Sequence, residues 1–189
     1  MSLEKPQIPE KAKKIKPSRT IDTMFRTTMS NHVHLTMLAD RKAALMISIN
    51  SIIISVMMSF LFNKFDANPQ LLLPTALMAG VSLLTITFAV LSTRPTIKPR
   101  SATAPAGNSD SLDLLFFGDY LSLSPEDYRM KMKELITSDD KLHDSLIDNI
   151  YIQGQVIGRK FRLLAVAYNV FMYGFPVVII IYLLAMYLS

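Results

Sequence analysis

Charged residues vanish from three stretches of the chain and crowd the remainder. Residues 43–62 (AALMISINSIIISVMMSFLF) form an uncharged run of 20, residues 71–91 (LLLPTALMAGVSLLTITFAVL) one of 21, and residues 163–188 one of 26. A helix of about 20 apolar residues reaches roughly 30 Å, the thickness of the hydrocarbon core of a bilayer. One such run could be a buried helix of a soluble domain. Three in a chain of 189 residues predict membrane spans at 43–62, 71–91 and 165–188. Pro74 falls in the first turn of the second span, where a missing N–H is tolerated. Pro176 falls inside the third and predicts a kink, because the Met172 carbonyl loses its helical donor.

The segments between the spans also read as helical or flexible, never as sheet. Residues 1–20 hold Pro6, Pro9 and Pro17 among many lysines and read as a flexible basic tail. From 21 to 42 nothing breaks a helix. That stretch is expected to run directly into the first span, giving a rod longer than about 30 residues, or about 50 Å. Residues 93–111, with Pro95, Pro99, Pro105 and Gly107, read as a linker. The run 112–120 (LDLLFFGDY) is apolar and ends in a Gly-Asp turn. Ser124-Pro125-Glu126-Asp127 is a helix start with a cap, a first-turn proline and acids at the positive end of the dipole. Ser138-Asp139-Asp140 opens a further helix, with Leu142, Leu146, Ile150, Ile157 and Phe161 at helical spacing and no stop before the third span. The fold class expected is all-α: an integral membrane protein with three transmembrane helices and a small cytoplasmic helical bundle, the linker and sensor module occupying 92–162.

Composition narrows the chemistry. Charged residues make up 19%, below the roughly 25% of soluble proteins. The chain has no Cys, which excludes disulfides, thiol nucleophiles and thiolate metal sites. Three His, two of them (His32 and His34) placed on different helix faces, do not suggest a metal centre. The acidic residues Asp139, Asp140, Asp144 and Asp148 read as a capped, solvated helix face. No phosphate-binding loop, metalloprotease helix or serine nucleophile elbow occurs, so no catalytic residues are expected.

Lys and Arg set the expected orientation. Nine lie in residues 1–42, one (Lys64) in the loop 63–70, and ten between 92 and 162, including Arg159, Lys160 and Arg162 just before the third span. The N-terminus and the long middle segment are therefore expected in the cytoplasm, with the short loop and Ser189 outside. The last three cations read as headgroup anchors. No secretory leader is expected, since the first apolar run starts at position 43, and the chain would insert through its own first helix.

Within the first span, Ser48, Ser51, Ser55 and Ser59 fall on one narrow stripe. Ser51-xxx-Ser55-xxx-Ser59 is a small-residue pattern that lets helices approach closely in lipid. It reads either as a packing face or as a polar stripe lining a pore built by several copies. Asn50 points elsewhere and is expected to hold helices together through its amide. Ala76-xxx-Gly80 and Gly154-xxx-Gly158 extend the close-packing theme. With three spans per chain, enclosing a water path requires more than one copy, so a homo-oligomer held by these small-residue faces is expected.

Several blocks in order carry a family resemblance. Asn31-His32, Leu35-Thr36, Ala39-Asp40 and Lys42-Ala43 lead into Leu45, Ile49-Asn50 and Ile52-Ile53-Ile54-Ser55. Leu115-Phe116-Phe117-Gly118 follows, then Ser124, Glu126 and Tyr128. Last come Lys160-Phe161-Arg162-Leu163-Leu164, Ala167-Tyr168-Asn169 and Phe171. This order resembles the Pycsar effector transmembrane family of bacterial anti-phage defence over about residues 30–188. The resemblance implies a bacterial inner-membrane protein that answers a cyclic pyrimidine mononucleotide, cyclic CMP or cyclic UMP, made by a partner cyclase. It implies that the effector then impairs the membrane in an abortive infection. It assigns no nucleotide-binding residues.

From the residues themselves, Arg129 and Lys131 could meet the phosphate of such a ligand and Tyr120 and Tyr128 its base, with backbone N–H groups of the Phe117-Gly118-Asp119 turn nearby. The same basic residues also read as ordinary solvated positions. No cofactor beyond the activating nucleotide and no nucleic-acid partner is expected. The competing reading is a non-enzymatic membrane scaffold that recruits a soluble partner.

Overall fold

The computed structural model describes residues 19–64, 69–95 and 113–187. Most of the basic tail, part of the loop 63–70, most of the linker and Ser189 lie outside these residues. Every element among the described residues is helical. In chain order they are α1 (Arg19–Lys64), a 3-10 turn (Pro69–Leu71), α2 (Leu72–Thr93), α3 (Phe117–Tyr120), α4 (Pro125–Thr137) and α5 (Asp139–Tyr187).

Two of these helices are much longer than a bilayer requires. α1 has 46 residues and α5 has 49, about 69 Å and 74 Å at 1.5 Å per residue. Each joins a polar arm to an apolar span without a break. The absence of Gly and Pro from residues 19–64 allows this in α1. In α5 the helix continues through Pro176. α2 has 22 residues, about 33 Å, and is apolar almost throughout. α1, α2 and α5 are each long and apolar enough to cross a membrane. Only 6% of the most apolar window of α5 is buried within the chain. Its outward faces therefore need lipid or another protein to cover them.

Contacts along the helices fix their directions. Phe25 meets His143, His32 lies over Gly154, Asp40 binds Lys160, and Ala43 shares a core with Leu164. Successive contacts advance together, so α1 and α5 run parallel. α2 runs the other way. Met46 meets Ala89 in the core, while Ile54 and Met57 share a crevice with Thr75, Ala76 and Ala79.

The core is a layer of small side chains. Ala39, Ala43 and Met46 of α1, Ala89 of α2, and Leu164 and Ala167 of α5 are buried together, flanked by Ile47, Phe88, Phe161 and Phe171. Without a hydrophobic driving force in lipid, close backbone approach supplies the attraction, and alanines permit it. The inward face of α2 is Pro74, Met78, Ser82, Thr85, Ala89 and Ser92. Its steps of three and four keep it on one side of the helix.

This packing differs from the small-residue motifs read in the sequence. Ser48, Ser51, Ser55 and Ser59 are all exposed and take no part in packing within the chain. A Cβ added at Gly80 or Gly158 would meet nothing within 4 Å, and one at Gly154 only the rim of the His32 ring at 3.9 Å. The tight approach is at Gly174, where a Cβ would lie 2.8 Å and 2.9 Å from the two methyl carbons of Val81. A glycine two residues before a proline looks like a helix weakness in the sequence. In the fold it is where α5 packs tightly against Val81 of α2.

Because a valine in a helix has one strongly preferred rotamer, Val81 cannot easily swing aside. Gly174→Ala is expected to lower stability by about 1–3 kcal/mol through overpacking. Adding Val81→Ala should return most of the loss. Unfolding of the purified protein in detergent, run as a double-mutant cycle, measures this. Independent, additive effects would show that the two residues do not touch.

Candidate functional site

Among the described residues, the polar contacts of the arms are organised around the first half of α5. The segment 113–120 docks there. Asp113 opens it with an Asx turn, its Oδ1 accepting from the Leu115 N–H at 2.9 Å. The same carboxylate accepts from Asn149 Nδ2 at 3.1 Å and Ser145 Oγ at 3.4 Å, both on α5. The Asp113 N–H donates to Asp119 Oδ2 at 3.2 Å. Asn149 Oδ1 in turn accepts from Gln153 Nε2 at 2.8 Å. Asp113, Asp119 and Asn149 are 3%, 1% and 1% exposed. Carboxylates this deep are tolerable only when donors surround them, and here the donors come from the segment's own backbone and from α5. Leu114 and Phe116 are buried beside them, so the segment is held by polar and apolar contacts together.

α4 follows as the sequence motif dictates. The Ser124 hydroxyl accepts from the Asp127 N–H at 3.1 Å, and Pro125 takes the first turn. α4 then returns to α5 through an exposed Lys141–Glu134 pair at 2.8 Å. Hydrogen bonding from Lys141 and its charge hold the Glu134 carboxyl below the ordinary glutamate range. Exposed pairs of this kind add little to stability.

The residues singled out for a nucleotide fall partly together. Tyr120 and Tyr128 are in contact, with ring centroids 5.0 Å apart and planes tilted by 47°. Lys131 lies one turn along α4 from Tyr128 and is half-buried, whereas Arg129 is exposed on an adjacent face. In the Phe117-Gly118-Asp119 turn the Asp119 amide is already engaged. The Asp119 and Tyr120 N–H groups both donate to the Phe116 carbonyl, at 3.0 and 3.4 Å, because the segment closes into a helical turn. Asp119 is also buried rather than displayed.

Nearer the spans, α1 and α5 are joined by charge. Lys160 Nζ donates to both oxygens of Asp40, at 2.7 and 3.0 Å. The Lys160 side chain is 16% exposed and that of Asp40 43%. Lys160 is therefore an interhelical clamp and not a headgroup anchor, since its ammonium turns inward to a carboxylate 120 residues away in sequence. His34 is exposed. The His32 ring packs toward Gly154, and its Nδ1 is buried without a hydrogen-bond partner. Among the described residues, no group of three or more His, Asp or Glu side chains is placed to hold a metal. Asn50 is fully buried, but its Nδ2 donates to the Met46 carbonyl in its own helix at 2.9 Å. The expected bond to a neighbouring helix is not made.

Little in the local sequence pattern marks Asp113, Asp119, Asn149 or the Asp40–Lys160 pair. Acids inside an otherwise apolar run were the available signal for the first two.

Three apolar rods, two of them continuous with polar arms that are clamped to each other, define an α-helical membrane protein. The model of the Pycsar effector protein domain matches residues 23–187. The chain belongs to that family, and it is a membrane effector of anti-phage defence. No curated protein and no solved structure matches it.

Two outcomes follow from this geometry. Asp113→Ala leaves the Asn149 amide without its acceptor and is expected to cost about 1–3 kcal/mol. Hydrogen exchange should rise in residues 113–123 with the spans unaffected. Exchange unchanged in that segment would mean that Asp113 does not hold it. At the clamp, Asp40→Asn and Lys160→Met should show a coupling energy of about 1 kcal/mol in a double-mutant cycle. A coupling of zero would make the pair incidental.

Proposed function

We propose that the protein is a signal-gated, homo-oligomeric effector of the bacterial inner membrane. Its polar arms lie in the cytoplasm, where they sense a cyclic pyrimidine mononucleotide, cyclic CMP or cyclic UMP, supplied by a partner cyclase. The response impairs the membrane and ends the infected cell's growth. The excess of Lys and Arg on the segments before α1 and between α2 and α5 supports this orientation.

The observation that carries the reading is the continuity of α1 and α5 from arm to span. A helix transmits rotation and translation along its axis with little loss. A ligand that binds one arrangement of the arms better than another shifts the spans by that difference in affinity. The docked segment 113–120 and the Tyr120–Tyr128 pair lie on the arm of α5, where such a ligand would act. Lys131 and the exposed Arg129 can meet its phosphate. The outward-facing serines of α1 suit contact between copies, since small side chains allow close approach and Ser55 already satisfies its hydroxyl on the Ser51 carbonyl at 2.9 Å.

The test is release of a self-quenched dye from liposomes carrying the purified chain. Cyclic CMP or cyclic UMP should trigger release where cyclic AMP and cyclic GMP do not. Ser55→Leu should change assembly or release, while deletion of residues 1–18 should leave both intact. No release with either pyrimidine nucleotide, at any protein density, would overturn the proposal.

A further inference from the structure

Several hydroxyls in these spans are satisfied within their own helix. Thr75, Thr85 and Thr87 of α2 each donate to the carbonyl four residues back, and Ser92 and Thr93 to the carbonyl three back. Two polar atoms depart from this pattern. Asn50 Oδ1 and Ser82 Oγ are buried and have no hydrogen-bond partner, and their residues are 0% and 1% exposed. They belong to different helices but occur at one depth. Asn50 lies a turn beyond Met46, which meets Ala89, and a turn before Ile54, which shares a crevice with Ala76 and Ala79. Ser82 lies between Ala79 and Ala89 on the inward face of α2.

The third helix contributes at the same level. Val81, the neighbour of Ser82, is the residue that Gly174 approaches. Asn50 Oδ1 and Ser82 Oγ are thus left unsatisfied inside a bundle whose surroundings are hydrocarbon, where no solvent can repair them.

The layers on either side differ. Toward the arms, the small-residue core of Ala39, Ala43, Met46, Ala89, Leu164 and Ala167 closes the bundle, directly beside the Asp40–Lys160 clamp. Toward the far end the packing loosens. A crevice of about 200 Å³ lies among Met57, Met78, Val178 and Tyr182, and one of about 90 Å³ between α1 and α2 at Met57, Thr75 and Ala79.

We infer that Asn50 and Ser82 form the point at which water first enters the membrane part of each protomer, with the alanine layer as its gate, and that the wider path is completed between copies. This rests on the effector reading above. Separation of α1 from α5 at the clamp would part the alanine layer. Water entering there meets an acceptor on Asn50 and a donor on Ser82, which stabilise it by hydrogen bonds in a site that is otherwise apolar.

The chain has no Cys, so Ser82→Cys carries a single thiol of nearly the same size. In liposomes, its modification by a charged, membrane-impermeant methanethiosulfonate is followed with and without cyclic CMP or cyclic UMP, alongside dye release by the same variant. Modification is expected to accelerate at least tenfold with the nucleotide that triggers release. The double variant Asn50→Leu, Ser82→Ala should release dye at least tenfold more slowly than the wild type. If dye escapes on nucleotide addition while the thiol stays unmodified, the path lies elsewhere. That outcome overturns this inference and leaves the effector reading standing. If the wild-type chain releases no dye with either nucleotide, the effector reading falls and takes this one with it. Should the double variant fail to fold, the thiol measurement decides alone.

Discussion

The joint between the arms and the spans of α1 and α5 governs this protein. There the Asp40 carboxylate grips Lys160, and one turn on, Ala43 and Leu164 enter the small-residue core with Ala89. A half-buried ion pair is a modest source of stability. Its value here is positional. It fixes the register of two parallel helices at the level where charge gives way to hydrocarbon. Every contact further along either helix inherits that register.

From that joint the chain is organised as two regimes with different physics. On the arm side, water competes for every hydrogen bond, so the buried carboxylates sit where neighbours satisfy them. Asp113 is the case in point, with donors from its own turn, from Ser145 and from Asn149. On the span side nothing competes, and hydroxyls fold back onto their own carbonyls. In lipid, attraction between helices comes from close contact, which Ala39, Ala43, Ala89 and Ala167 permit and which Gly174 takes to its limit against Val81. Asn50 and Ser82 obey neither rule, which singles them out within the bundle.

The outer surface of the bundle has its own consequence. Leu45, Ile49, Ile52, Leu83, Leu84, Ile180, Leu183 and Leu184 are exposed, as is the serine stripe. A bilayer covers the apolar positions without further help. The serines gain nothing from lipid, and their alignment on one side of α1 leaves a face suited to another helix.

The amino-acid sequence alone determined the helical class, the three spans, the capped start of α4 at Ser124 and the fusion of residues before the first and third apolar runs with the spans that follow. These depend on local periodicity, charge and capping, which act over a few residues. The order of motif blocks also carried the family. Which small residues pack was decided only by the tertiary structure. Ser51-xxx-Ser55 and Ala39-xxx-Ala43 look alike in sequence, yet the first faces outward and the second forms the core. The difference lies in helix rotation, which the partners on α2 and α5 set. The same holds for Lys160, whose ammonium turned from the headgroups to Asp40. It holds too for the segment 113–120, whose acids needed Asn149 on a helix that begins 26 residues later. Contacts between residues far apart in sequence leave no local pattern, because each depends on a partner that only the fold brings near.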